Sequence, residues 1–201
     1  MEGSSMTVFF TGCTHFGHAN IIKLADRPFE TVEHMNAELI RRWNEKVQNG
    51  DTVYHLGDVA WGSQVEDFFL ELNGNIIFIA GNHDDPNEME NLERDYADHV
   101  QVMNYHELKI EKQRLVLFHY PIDDWNGRWR GSIHLHCHTH SKTLRNPHLP
   151  YVASSDLEFG EKTELGRNYP IDMTCNRFCV GMDSTDFAPI SFDEIMQEAR
   201  A

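Results

Sequence analysis

Ile76-Ile77-Phe78-Ile79-Ala80 is an unbroken apolar run, bounded by Asn73-Gly74 before it and Gly81-Asn82-His83-Asp84 after it. Its length, β-branched content and flanking glycines predict a buried strand. Asn82, His83 and Asp84 then stand at the carboxyl end of a strand, the end where open α/β sheets bind ligands. Taken alone, the tetrapeptide fits a strand-end turn with a satisfied Asn equally well.

The arrangement recurs along the chain. Val8–Thr11 reads as a strand followed by Cys13-Thr14-His15-Phe16-Gly17-His18. Thr52–Leu56 reads as a second, followed by Gly57-Asp58. Leu115–Phe118 runs into His119, and Ile133–His136 runs into Cys137-His138-Thr139-His140. Five strands thus end in groups able to bind metal: Cys13 and His15, Asp58, Asn82, His119, and His138 with His140. Imidazole and carboxylate suit borderline divalent ions, and one carboxylate can bridge two of them. A lone strand-end His is usually a hydrogen-bonded surface residue; five such endings in one chain argue for a common site.

Helical patterns separate the strands. A short helix is expected around Ala19–Leu24. Thr31 caps a longer one with Val32, Met35, Leu39, Trp43 and Val47 inward, ended by Asn49-Gly50. Ser63 and Glu66 form a capping box ahead of Val65, Phe68, Phe69 and Leu72. Asp85-Pro86 opens a helix carrying Met89, Leu92 and Tyr96. Two more apolar runs fall near Val100–Met103 and Leu108–Ile110. Phe178–Gly181 reads as the last strand, and Ser191 with Glu194 caps a final helix burying Phe192, Ile195, Met196 and Ala199. Residues 141–177 read as a long irregular segment.

The chain has 201 residues, which suits one α/β domain. Residues 7–201 are assigned to it; residues 1–6 read as an expression scar or a flexible N-terminus, with Met6 as the natural start. Four cysteines without regular spacing suggest reduced thiols and a cytoplasmic location. No apolar run is long enough to span a membrane, so no membrane partner is expected. The net charge of −15 disfavours nucleic acid as a partner, unless Arg128, Arg130, Lys142, Arg145 and Arg167 gather on one face. It leaves room for a small phosphorylated substrate, because bound metal reverses the local field. The oligomeric state is not legible.

The order C-T-H, G-D, G-N-H-D, H, H-x-H resembles the calcineurin-like metallophosphoesterase superfamily, whose pattern is D-x-H, G-D, G-N-H-[DE], H, G-H-x-H. The motifs span residues 13 to 140. T-H-F-G-H-x-N-I-I and R-G-S-x-H-L-H-x-H-T-H resemble a small bacterial and phage-type branch of it. The resemblance implies two mixed sheets face to face with helices outside (αββα). It implies two divalent ions, manganese, zinc or iron. Cys13, His15, Asp58 and His140 would hold the first; Asp58, Asn82, His119 and His138 would hold the second. It implies hydrolysis of a phosphate ester by a metal-bridging hydroxide, with His83 as general acid and Asp84 holding the His83 ring in its tautomer. Two cations roughly 3.5–4 Å apart can activate a bridging water and clamp an in-line displacement.

The chain leaves the pattern at Cys13, where the family has Asp. Cys13 is either a softer, oxidisable ligand or only a small buried residue. Cys137, in place of Gly, reads as packing, and Cys175 and Cys179 as structural. His18 and Asn20 are candidate phosphate contacts at a helix start. Arg128 and Arg130, beside Trp125 and Trp129, are candidates for phosphate and base recognition. His134, His136, His138 and His140 alternate on a strand-like period, which would point all four one way. A phosphodiester of a nucleotide-like molecule is the expected substrate, with monoesters and pyrophosphates open. The alternatives are a degenerate, non-catalytic binding protein on the same fold and a mononuclear zinc protein.

Overall fold

The fold was obtained as a computed structural model, which describes residues 6–62, 64–145 and 176–200. Four strands, β1 (Val8–Thr11), β2 (Thr52–His55), β3 (Asn75–Ile79) and β4 (Val100–Met103), lie parallel in the order β4-β3-β2-β1. A second sheet contains β5 (His106–Ile110), β6 (Gln113–Leu117), β7 (Ile133–His136) and β8 (Arg177–Cys179) in sequence order. β5 and β6 are antiparallel; β6, β7 and β8 are parallel. β9 (Ile190–Ser191) returns to the first sheet and pairs antiparallel with β1. Both sheets are therefore mixed. Phe178–Gly181 is not the last strand: β8 is Arg177–Cys179, and the two-residue β9 follows it.

The helices are α1 (Ala19–Leu24), α2 (Val32–Lys46), α3 (Val65–Phe69), α4 (Pro86–Asp95) and α5 (Phe192–Arg200). Their caps explain where they start. Thr31 accepts from the His34 N–H at 3.2 Å. Asp85 accepts from Asn87 and Glu88, with Pro86 in the first turn. Ser191 and Glu194 bond reciprocally at the start of α5. The expected Ser63–Glu66 box rests on Ser63, outside the described residues. So do Cys175, Arg167 and nearly all of the expected irregular segment.

Two cores follow from strand alternation. One face of the first sheet contributes Phe9, Val53, Ile76 and Phe78, against which Met35, Leu39, Trp43, Met89 and Leu92 of the helices pack. The other contributes Phe10, Tyr54, Leu56 and Ile79, packed on Leu115, Leu117, Ile133, Leu135 and Phe178 of the second sheet. Side chains of this size, fully buried, stabilise the fold by roughly 1.5–3 kcal/mol each. Phe192 and Ile195 of α5 join the core between the sheets.

Register decides where the loops emerge. Thr11 pairs with His55, and His55 with Phe78, so β1, β2 and β3 end level. Leu117 pairs with Leu135, which brings the segments after β6 and β7 out together. Among the described residues, no helix is long and apolar enough to cross a membrane.

Candidate metal centre

The loops after the five strands are stitched edge to edge. Cys13 N–H donates to the Gly57 carbonyl at 2.8 Å, and Cys137 N–H to the His119 carbonyl at 3.0 Å. His119 Nδ1 donates to the Leu56 carbonyl at 2.6 Å across the two sheets. Glycine is required where the loops touch: a Cβ on Gly57 would lie 2.3 Å from the Gly81 nitrogen, and one on Gly81 2.4 Å from Asp58 Oδ1.

The donors themselves sit on unusual backbone. Cys13, His15, Asp58, His138 and His140 all have φ between 48° and 61°, in the left-handed region. Non-glycine residues rarely adopt it, and each such residue costs about 1–2 kcal/mol. The left-handed turns corrected one expectation. β7 ends at His136, so His138 and His140 do not continue its period. His134 and His136 lie inside the second sheet, and burial pushes their pKa values down to about 4 and about 3.

The ligating atoms of Cys13, His15 and His140 lie within 4.8 Å of one another, as do those of Asp58, His119 and His138. Asp58 Oδ2 is 3.6 Å from His15 Nε2 and 3.5 Å from His119 Nε2, between the two groups. Asn82 Oδ1 lies 3.0 Å from His119 Nε2, and His138 Nδ1 3.2 Å from it. With His119 Nδ1 donating to Leu56, Nε2 is the ring nitrogen left to face the Asn82 and Asp58 oxygens. A divalent ion placed between them would be a partner for all three groups. Both ring nitrogens of His15 are buried without a hydrogen-bond partner. Burial, then the nearby His140 and Arg27, holds the His15 pKa down to about 2, so the ring is neutral. A neutral buried imidazole with an unpartnered nitrogen, beside a carboxylate and a sulfur, has the donor set that suits a divalent ion.

Cys137 contributes Sγ to a third overlapping group with Cys13 and His119. Its thiol donates to the Leu56 carbonyl at 3.0 Å, and burial raises its pKa well above the ordinary thiol value. Cys13, Cys137 and Cys179 are free thiols.

His83 is exposed at the edge of the centre, its ring 5.8 Å from that of His15 and its N–H donating to Asp58 Oδ1 at 2.9 Å. Asp84 does not orient the His83 ring. Its carboxylate accepts the backbone N–H groups of Asp58, Val59 and Gly81 at 2.9, 2.8 and 2.7 Å.

His18 belongs to the site: its ring stacks on Trp61 at 4.1 Å and lies 5.6 Å from that of His15. Burial and the neighbouring His83 lower its pKa. Asn20 is exposed on the first turn of α1. Arg128 and Arg130 are elsewhere. β6 and β7 are parallel, so the chain between them must return to the amino end of the sheet. The Gly131 carbonyl there accepts from Gln113, the first residue of β6, at 2.8 Å. Arg128 lies over the rings of Trp125 and Trp129. The two arginines are thus at the opposite end of the second sheet from His119 and His138, and do not join Lys142, which donates to the Ala25 and Asp26 carbonyls.

Sequence reasoning missed Trp61, Tyr120, Arg27 and Asp183. Trp61 and Tyr120 are exposed aromatic rings on two sides of the centre, 5.6 Å from the His83 ring and 4.6 Å from the His138 ring. Tyr120, directly after His119, was open to a sequence argument.

Strand-end donors, glycine contacts and left-handed turns thus converge at one end of the two sheets. Residues 6–148 match the calcineurin-like phosphoesterase superfamily domain, and the chain belongs to that family. It is 34% identical over 174 residues to the uncharacterized protein MJ1445 of Methanocaldococcus jannaschii, covering 85% of this chain and 89% of that protein. It is 30% identical over 164 residues to the Gene 66 protein of Mycobacterium phage D29, covering 69% and 81% respectively. A solved protein of unknown function, AQ665 from Aquifex aeolicus, has the same fold at a TM-score of 0.65 and 21% identity, over 96% of this chain and all of that one. Members of the family are phosphoester hydrolases that use divalent metals.

Proposed function

We propose that the chain is a di-metal phosphodiesterase acting on a small, nucleotide-like substrate. The observation that carries this reading is the single Asp58 oxygen lying 3.6 and 3.5 Å from the rings of His15 and His119, between two donor groups. Cys13, His15, Asp58 and His140 would hold one ion; Asp58, Asn82, His119 and His138 would hold the other. Bound there, the ions supply Lewis acidity, which acidifies water for attack at phosphorus and neutralises charge on the phosphate oxygens.

The chain's own residues do the rest. His83 is exposed and anchored through its backbone N–H to Asp58, and its ring, 5.8 Å from that of His15, would give a proton to the leaving oxygen of a phosphate at the centre. Asp84 fixes the Asp58 and Gly81 turns through three backbone bonds, which preorganises the donors. His18 and Trp61 form a stacked wall beside His83, and Tyr120 flanks the other side. Flat exposed rings at both margins suit an ester with an aromatic base. Arg128 and Arg130 are remote and the net charge is −15, which favours a small substrate over a polynucleotide.

The test is metal stoichiometry with turnover of bis-nitrophenyl and mononitrophenyl phosphates, for wild type and Asp58→Asn. Two ions per chain, faster diester turnover, and loss of both metal and activity in Asp58→Asn are expected. One ion per chain without turnover would leave the mononuclear zinc reading; no ion would leave the binding-protein reading.

A further inference from the structure

A buried ion pair stands behind the Cys13–His15–His140 donor group. Arg27 and Asp183 are 4% and 7% exposed. Arg27 Nε and Nη2 donate to the two Asp183 oxygens at 3.1 and 3.0 Å, a bidentate pairing. The same guanidinium donates from Nη2 to the Cys13 carbonyl at 2.6 Å and from Nη1 to the Thr14 carbonyl at 2.9 Å. Asp183 Oδ2 also accepts from His140 Nδ1 at 2.8 Å. One pair of residues therefore joins the turn after β1 to the turn after β7.

Burying two charges costs several kcal/mol per ion, so the pair is an expensive way to fill space. Its bonds go to segments that carry donors, and these are the segments with left-handed backbone at Cys13, His15 and His140. Lys142 Nζ, 3.7 Å from Asp183 Oδ1, adds a second cation on the solvent side.

We infer that Arg27 and Asp183 are positioning residues for the Cys13–His15–His140 donor group. Asp183 accepts a hydrogen bond from His140 Nδ1–H, which keeps the proton on Nδ1 and leaves Nε2 as the ligating nitrogen. Arg27 clamps the Cys13 and Thr14 peptides so that Cys13 Sγ and the His15 ring face that nitrogen. A carboxylate behind a ligating imidazole raises its basicity and fixes its orientation. The inference rests on the metal-binding reading of this donor group.

The first measurement needs no variant: ring ¹⁵N NMR of the metal-free protein. The expected result is a His140 ring protonated on Nδ1 with Nε2 free; protonation on Nε2 would overturn the inference. The second is titration with Mn²⁺ and Zn²⁺ of wild type, Asp183→Asn and Arg27→Lys. Asp183→Asn should weaken one of two binding events by about 10–100-fold and mix the His140 tautomers. Arg27→Lys keeps the charge but loses the fork, and should give a smaller loss. A merely structural pair would lower the melting temperature while leaving metal affinity and His140 tautomer unchanged; that result overturns the inference. Should Asp183→Asn fail to fold, the wild-type spectrum and Arg27→Lys decide it. Absence of metal binding by the wild type would instead overturn the proposed function.

Discussion

The backbone N–H of His138 donates to Cys13 Sγ at 3.1 Å, joining two loops 125 residues apart. Cys13 is 1% exposed, and its sulfur lies within 4.8 Å of the candidate ligating atoms of His15 and His140. Cys13 therefore occupies a donor's place as well as a core position. Sulfur prefers softer ions, so metal binding here should favour zinc or iron over manganese. Cys13→Asp should raise manganese-supported turnover and remove sensitivity to peroxide, since no sulfenic acid can form. Cys13→Ser should weaken binding, because a neutral hydroxyl supplies no anionic charge. Stoichiometry and turnover with each metal check this; identical behaviour of all three proteins would make Cys13 packing alone.

His83 is predicted to act in proton transfer without holding metal. His83→Ala should retain metal and lose roughly 10²–10⁴-fold in turnover on an alkyl leaving group. The loss should be much smaller on nitrophenolate, which leaves without a proton. Comparing kcat for the two ester types reads this directly; equal losses would argue against the acid role.

Asp84 is predicted to act on the turns and not through His83. Asp84→Ala would strand three N–H groups that now bond a carboxylate, two of them buried. Hydrogen bonds to charged groups contribute about 1.5–3 kcal/mol each and do not add fully, so a loss of about 3–5 kcal/mol is expected. Urea unfolding measures it. Any residual activity should keep the wild-type dependence on leaving group; a dependence like that of His83→Ala would restore a link between the two side chains.

His134 makes stability depend on pH. Its Nδ1 donates to the Val116 carbonyl at 3.0 Å, and burial depresses its pKa to about 4. The folded ring is harder to protonate than the unfolded one, whose pKa is about 6.5. Its contribution is therefore complete above about pH 6.5 and is lost as the pH falls toward 4. The slope approaches about 1.4 kcal/mol per pH unit. Melting temperature measured from pH 4 to 7.5 should fall on acidification in wild type, and less steeply in His134→Gln. Parallel curves would show that the ring does not titrate on unfolding.

Strand ends were legible because each donor directly follows an apolar run, and register then brings β1, β2 and β3 out level. Helix starts were legible at Thr31, Asp85 and Ser191 because capping is local chemistry. What escaped was non-local. Arg27 and Asp183 are 156 residues apart and neither follows a periodic pattern. Arg128 and Arg130 looked central because they lie between two donor strands in sequence; a parallel crossover carries them to the far end in space. The role of Asp84 beside His83 came from the family resemblance, whereas its carboxylate bonds the backbone of Asp58, Val59 and Gly81, contacts that no sequence pattern announces. β9, two residues long, is too short for alternation to register.

The pairing of β9 with β1 has a consequence for the chain as it is made. Phe9 and Phe10 meet Ser191 and Ile190, and the Cys13 carbonyl waits for an arginine whose own partner is Asp183. A nascent chain that has not yet reached Asp183 carries every proposed donor but lacks the carboxylate that sets the His140 ring and the strand that covers the open edge of β1. On the ribosome, the earliest-synthesised donor loop is thus among the last to be completed, and its thiol is left without its final enclosure for most of translation.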